Sequence, residues 1–381
     1  MATIEMETRQ ARKRRRIVWD VAPSDIIQEC QPVPEKVELE RYVTPPRRED
    51  DREGHYVFSV GENLTPRCTF GRVLECLDNQ TQEHVAVKVV RSNSRYRGAA
   101  MIEIDVLRHL AEHDKVGSHC VEIRSWFDYR NHICIVFEKL GPSLYDILKR
   151  NRYRPFPVDL VREFGRQLLE SVAYMHELHY IHTDLKPENI LLVSSESVKI
   201  SNWELLAKVS DIKLIDFGST VYDNPNHRST VSTRHYRAPE VILGLGWSYP
   251  CDIWGIGCIL VELCSGRALF QTHENLEHLA MMERVLQPFP PHIIQKATRG
   301  AEVYFRQGSR LNWPEGAKSR ESIRAVQRLQ HVKDLISWHL CSPSSCVFID
   351  LLYKLLRFDP SERLSAKEAL NHSFFRRKFE F

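Results

Sequence analysis

The chain has 381 residues, 43% of them hydrophobic, which is enough for a large core and for two packed units. Lys and Arg total 53 against 50 Asp and Glu, so the net charge of +3 creates no whole-chain demand for nucleic acid. The ten cysteines form no Cys-x-x-Cys pair, no secretory signal precedes them, and the apolar run near Ile253 to Leu263 is too short to span a bilayer; a soluble intracellular protein with reduced thiols is expected.

Residues 1–55 hold a basic run (Arg12, Lys13, Arg14, Arg15, Arg16), scattered prolines and a mixed-charge stretch from Arg47 to Glu53, with no sustained apolar period. A disordered extension is expected there. Its basic run fits a nuclear import signal or a solvated charged tail equally well. An RNA-contacting tail is the weaker option, because no stacking aromatics interleave with the arginines.

From Tyr56 the pattern becomes globular. Phe70 to Cys76 and His84 to Val90 predict two strands joined by a polar turn at Asp78-Asn79-Gln80. Ala99 to His113 has helical spacing, with Ile102, Val106, Leu107 and Leu110 on one side. Val121 to Phe127 and His132 to Phe137 predict two more strands. Helices dominate afterwards. Ser143 can cap a helix to Lys149, and Val158 to Leu178 is a long amphipathic helix with Leu160, Phe164, Leu168, Val172 and Met175 at core spacing. Further helices are expected over Asp252 to Cys264, Asn275 to Leu286, Ser322 to Leu329, Cys346 to Leu356 and Ser365 to Asn371.

Four segments carry chemistry. In Val85-Ala-Val-Lys88, a lysine between apolar residues of an inner strand must point its ammonium at an anion or lose hydration uncompensated. Glu103, on the following helix, can pair with it. Ile181-His-Thr-Asp-Leu-Lys-Pro-Glu-Asn189 follows a long helix and supplies a base, a cation and an oxygen ligand within one short loop. Ile215-Asp-Phe-Gly218 puts an aspartate at the end of an apolar strand, suited to Mg²⁺.

These segments, followed by Ala238-Pro-Glu240, resemble the signature set of the protein-kinase superfamily over about Tyr56 to Phe375. The resemblance implies an α+β, bilobal protein kinase fold, with a small β-rich N-lobe over 56–140 and a larger α-helical C-lobe over 141–381. It implies ATP and Mg²⁺ as cofactors, because phosphoryl transfer is catalysed mainly by positioning and electrostatics. By that resemblance Asp184 orients the substrate hydroxyl and accepts its proton, and Lys186 sits near the transferred phosphate. Asn189 and Asp216 hold Mg²⁺. Lys88, held by Glu103, grips the α and β phosphates. Val73 and Ala86 are further ATP-binding residues, Phe137 lines the back of the adenine pocket, and Glu138 to Leu140 form the hinge whose backbone meets adenine. Asp252 is expected to brace the catalytic loop, and Glu240 to pair with Arg363, both in structural roles.

The string Glu277-His-Leu-Ala-Met-Met-Glu-Arg284 resembles the motif that names the LAMMER, or CDC-like, kinases; plant members are the most similar through Gly244-Leu-Gly-Trp-Ser-Tyr-Pro250. Its leucines and methionines form an ordinary amphipathic stripe, so helix packing is its expected role, within a LAMMER helix and insert over about 274–335. That group phosphorylates Ser/Arg-rich splicing factors in the nucleus, and some members also modify tyrosine. The resemblance implies those partners and that compartment, besides the cytosol, with no direct contact to nucleic acid or membrane. Thr183 stands where most kinases carry an arginine that grips a phosphorylated activation segment, so phosphorylation between Ser219 and Thr233 is not expected to switch this protein through that grip.

One part departs from the pattern. Of the Gly-rich loop only Gly71 and Val73 match; Pro66 and Cys68 occupy the places of the other two glycines, and Gly61 lies too far upstream. Glycines let the backbone approach phosphates, whereas proline fixes φ and removes an N–H. The first strand and half the loop read as missing, unless Tyr56 to Val60 substitute as that strand. Weakened ATP binding is the expected result. The alternative function is therefore a catalytically impaired kinase-fold isoform that binds splicing factors or competes with a full-length form. Residues 201–211, with Trp203, Leu205 and Leu206, carry no assignable motif and read as a surface hairpin.

Overall fold

The computed structural model describes residues 17–18, 50, 54–55, 71–78, 80–114, 117, 119–193, 211–225, 227–306, 310–339 and 344–376. The Arg12–Arg16 run, the substitute strand at 56–60, the loop positions Pro66 and Cys68, and the 201–210 part of the expected hairpin lie outside them. The chain divides into two units, 1–108 with 122–139 and 109–121 with 140–381. The division at Lys139/Leu140 falls inside the expected hinge.

The first unit is a five-stranded sheet in the order β1-β2-β3-β5-β4. Its strands are β1 (Ile17–Val18), β2 (Gly71–Leu77), β3 (His84–Val90), β4 (Ile123–Tyr129) and β5 (His132–Glu138). β1 runs parallel to β2, pairing Ile17 with Cys76; the other neighbours are antiparallel. β1 therefore places two residues of the extension expected to be disordered against the sheet. Alternation along the strands creates two faces. One buries Leu74, Cys76, Val85, Val87, Val89, Cys134 and Val136 as a core. The other carries two cross-strand rows, Val73–Lys88–Ile135 and Glu75–Ala86–Phe137. The predicted nucleotide residues Val73, Ala86, Lys88 and Phe137 thus share the face opposite that core.

Helix α1 (Ser94–His113) starts five residues before the periodicity suggests. Val106, Leu107 and Leu110 are buried as expected, but Ile102 is 54% exposed. The inward face is instead set by Glu103 and Ile104, both buried. A helix turns about 100° per residue, so seating Glu103 inward to meet Lys88 rotates Ile102 out.

The second unit is helical. Its central pair is α3 (Val158–Glu177) and α5 (Pro250–Ser265); α2 is Leu144–Arg150 and α4 is Pro239–Leu243. α3 buries the predicted stripe of Leu160, Phe164, Leu168, Val172 and Met175. α5 is buried from Cys251 to Ser265, including Trp254. Gly257 lets α5 approach its neighbour, since an added Cβ would lie 2.8 Å from Leu356 Cδ2. Gly266 ends the helix at φ +76°, where a side chain would meet the Tyr153 carbonyl. Ser143 caps α2 through a capping box with Asp146.

Two small ribbons on this frame hold the loops of interest. β6 (Tyr180–Ile181) pairs with β9 (Val221–Tyr222), and β7 (Ile190–Leu192) with β8 (Ile212–Leu214). Downstream come α6 (Asn275–Val285), α7 (Pro291–Lys296), a short β10–β11 ribbon (Phe305–Arg306 with Arg310–Leu311), α8 (Arg320–Arg328), α9 (Val332–His339), α10 (Ser344–Leu355), α11 (Ala366–Leu370) and α12 (Ser373–Arg376). α6 buries Leu276, Leu279, Ala280, Met281, Met282 and Val285, the packing role expected for the Glu277–Arg284 string. Among the described residues no helix is long and apolar enough to cross a membrane.

Candidate active site

In the first unit, Lys88 Nζ lies 2.8 Å from each carboxylate oxygen of Glu103. Lys88 is 6% and Glu103 2% exposed. Each charge is tolerable in so dry a place only because of the other. The pair fixes the ammonium on the sheet face that also carries Val73, Ala86 and Phe137. Glu138 ends β5, where its N–H donates to Glu122 O and its carboxylate accepts the Glu122 N–H. Leu140, by contrast, is a buried residue of the second unit.

In the second unit, the catalytic-type loop leaves β6 and is held from beneath by α5. Asp252 accepts the backbone N–H groups of His182 (2.8 Å) and Thr183 (2.9 Å), and one of its oxygens lies 3.1 Å from His176 Nε2. This is the bracing expected of Asp252. Thr183 adopts φ +66°, a conformation that a β-branched residue rarely takes. Its hydroxyl donates to Ser219 O at 2.8 Å, tying this loop to the start of the activation segment. The His182 ring accepts the Asp184 N–H at Nδ1 (3.2 Å) and its Nε2 faces Ile215 O (3.2 Å). The ring thereby links the catalytic-type loop to the segment that precedes Asp216.

Asp184 is the centre of a polar network. Lys186 Nζ donates to one of its oxygens at 2.5 Å, and Thr233 donates to the other through its N–H (3.0 Å) and its hydroxyl (2.6 Å). Lys186 also reaches Thr233 Oγ1 at 3.2 Å. Burial pushes the Asp184 carboxyl up, but the Lys186 ammonium and the Thr233 hydrogen bonds outweigh it and hold the group below the usual carboxylate range. Asp184 is therefore ionised and oriented at neutral pH. Thr233 is the functional residue that sequence reasoning missed. It was legible only as one hydroxyl among several, because its partner lies 49 residues away.

Asn189 is 5% exposed and donates its amide to Asp184 O at 3.0 Å, which assigns its Oδ1 as the outward acceptor. Asp216 sits at φ +65°, ψ +69°, at the turn after β8, with Phe217 fully buried behind it. Ile215 N donates to Asn189 O at 2.9 Å, linking the two segments that carry Asn189 and Asp216. One carboxylate and one amide oxygen are hard donors. They fit Mg²⁺, which takes few protein ligands and completes its shell with phosphate and water. Asn189 and Asp216 would hold it, and it would neutralise phosphate charge.

Glu240 and Arg363 form a bidentate pair at 2.7 and 3.0 Å with both side chains fully buried. Arg363 also donates to Pro250 O and Arg357 O. This pair is part of the scaffold, as expected.

Comparison with known proteins agrees with this geometry. The protein kinase domain family matches residues 67–375. The serine/threonine-protein kinase AFC3 of Arabidopsis thaliana is 61% identical over 390 aligned positions, covering 97% of each chain. The dual specificity protein kinase CLK4 of Homo sapiens is 44% identical, covering 86% of this chain and 70% of its own. Among solved structures, the PF14_0431 kinase domain superposes with a TM-score of 0.75 at 35% identity, over 85% of this chain and 99% of that one.

Proposed function

The chain belongs to the protein kinase family, in its LAMMER-type (CDC-like) group of serine/threonine and dual-specificity enzymes, and we propose that it transfers the ATP γ-phosphoryl group to serines of Ser/Arg-rich splicing factors in the nucleus. The observation that carries the transfer reading is the Asp184–Lys186–Thr233 network, a preoriented carboxylate beside a cation on a loop braced by Asp252.

Each group has a task in that reaction. Asp184 accepts the hydroxyl proton of the substrate as its oxygen bonds to phosphorus and ADP leaves. Lys186 offsets charge on the transferred group, and Lys88 holds the α and β phosphates. Mg²⁺ supplies further charge neutralisation when bound.

The arginine-rich substrate class has support from charge. Glu188 is exposed just beyond Asp184 on the same loop. Burial of part of this group pushes its carboxyl up; its backbone hydrogen bond and the Lys186 ammonium offset some of this, while the carboxylates of Asp184 and Asp146 add to it. Glu262, buried on α5, feels Glu188 as well. A substrate guanidinium beside Glu188 would offset the contribution of the Asp184 and Asp146 carboxylates that remains. The test is Mg-ATP-dependent transfer to an Arg-Ser repeat peptide against one with Arg replaced by Gln, with Asp216→Asn as the blank. Preference for the Arg-Ser peptide is expected; equal rates on both would remove the substrate class.

A second reading, an impaired kinase-fold protein that binds splicing factors or competes with a complete form, also has an observation behind it. The AFC3 alignment runs over 390 positions, more than the 381 residues of this chain, so that relative carries residues with no counterpart here. Pro66 and Cys68, at the places of two glycines, are consistent with a loss near the phosphate loop. Activity equal to the Asp216→Asn blank, with Arg-Ser peptide binding retained, would select this reading.

A further inference from the structure

Helix α8 (Arg320–Arg328) is fastened to α6. Ser319 caps it by accepting the Ser322 N–H at 3.1 Å. Ser322 Oγ donates to Glu277 on α6 at 2.6 Å, and Arg284 Nε, also on α6, donates to Leu329 O at 2.9 Å. Val326 is buried. The Glu277–Arg284 string therefore does more than pack: its two charged ends hold α8 in place.

The outer side of α8 carries Arg320, Arg324 and Arg328, all exposed. Spaced four residues apart, they form one stripe with about 6 Å between successive members along the axis. Among the described residues none of the three forms an ion pair, although Glu321 lies on the same helix. Arg284, also exposed, adds a positive charge at the C-terminal end of α8 through its bond to Leu329 O. Glu321 is the one acidic residue of α8, so this outer side is predominantly positive where solvated faces usually balance the signs. Arg320 moreover occupies the first helical turn, where the helix dipole disfavours a cation.

We propose that the Arg320–Arg324–Arg328 stripe binds a phosphorylated Arg-Ser segment. This rests on the substrate class proposed above, because that segment is the product of the reaction. The geometry favours it. In an extended Arg-Ser repeat, successive serines project from one side at intervals of about 6.7 Å, while the arginines project from the other. Three phosphoserines then meet three arginines nearly in register, and the long guanidinium side chains absorb the small mismatch through charge-assisted hydrogen bonds. The unphosphorylated repeat offers the stripe only like charge. The surface thus distinguishes product from substrate and retains a partly modified chain on the protein. Single-stranded RNA has phosphates too, but no aromatic side chain lies on the stripe to stack its bases.

The test is fluorescence anisotropy of an (Arg-Ser)₄ peptide, fully phosphorylated, added to the full-length chain without ATP. The expected result is binding that weakens with salt and falls at least about ten-fold in the Arg320→Gln, Arg324→Gln, Arg328→Gln triple variant. Circular dichroism of the variant is expected to match the parent. Transfer to a single-serine Arg-Ser peptide is expected to be unchanged in it. A peptide with phosphoserine at every third residue is expected to bind more weakly than one with phosphoserine at every second. Equal binding by parent and triple variant would overturn the site, and so would displacement by oligo(U) at lower concentration than by the phosphopeptide. A parent chain that binds through the stripe yet phosphorylates no Arg-Ser peptide would instead overturn the proposed function and leave the site standing.

Discussion

The hydroxyl of Thr233 donates to Asp184 Oδ1 at 2.6 Å, so the carboxylate proposed as proton acceptor is positioned by the 219–233 segment and not by its own loop alone. Thr233→Val removes this bond and the Lys186 contact but leaves the backbone N–H bond to Asp184. We predict a loss of turnover of about ten- to a hundred-fold with a small change in thermal midpoint, and rescue by Thr233→Ser. Steady-state kinetics with parallel thermal unfolding reads both. A variant as active as the parent would show that the hydroxyl positions nothing.

Thr183 replaces a phosphate-gripping arginine with a neutral bond to Ser219 O. No charge is needed to close that link. Ser229→Ala with Thr230→Ala is therefore predicted to keep turnover within about two-fold of the parent, whereas Thr183→Val lowers it further by freeing the segment start. Peptide phosphorylation rates check this. Abolition by the alanine pair, with the fold intact, would restore a phosphorylation switch.

Lys88 and Glu103 stabilise one another in a dry environment. Lys88→Met is predicted to abolish transfer while the protein stays folded. It removes the cation bonded to both oxygens of a buried carboxylate, at a cost of about 3–5 kcal/mol. Adding Glu103→Leu to Lys88→Met should recover part of that stability without recovering activity. Urea unfolding of the three proteins decides it, and additive losses would contradict the coupling.

Glu262 yields a pH prediction. Burial raises its carboxyl from 4.5 to about 7, against the lowering effect of the Tyr236 hydrogen bond. A folded-state value above the unfolded one favours the protonated native form. Its stabilising effect is complete below pH 4.5 and is lost as pH rises through about 7. Glu262→Gln, which can still accept from Tyr236, should flatten this part of the stability profile by on the order of 2 kcal/mol. Denaturant titrations between those limits measure it; parallel profiles would refute the assignment.

Sequence alone made the chemistry legible where the reaction restricts residue type and spacing. Lys88, Asp184, Asn189 and Asp216 fall in short segments, and local order places each on its loop or strand. Asp252 and the Glu240–Arg363 pair were legible only through the family resemblance; the structure supplies the physical reason, since a charge buried that deeply needs a partner. What escaped was set by distant contacts. Thr233 acts on a residue 49 positions away. Ile102 was assigned to the core because apolar spacing cannot reveal that a neighbouring glutamate takes the inward position. The helices at 291–296 and 332–339 are too short for a clear period and are set by packing.

The central claim is that Asp184 accepts the substrate proton during transfer from ATP. The most direct measurement is single-turnover transfer of radiolabelled γ-phosphate to an Arg-Ser peptide by the parent and by Asp184→Asn, a near-isosteric change that removes the base. Labelled phosphoserine is predicted from the parent with Mg²⁺, with a rate at least about a thousand-fold lower from the variant. Equal rates from both proteins, or no label from the parent, would contradict it.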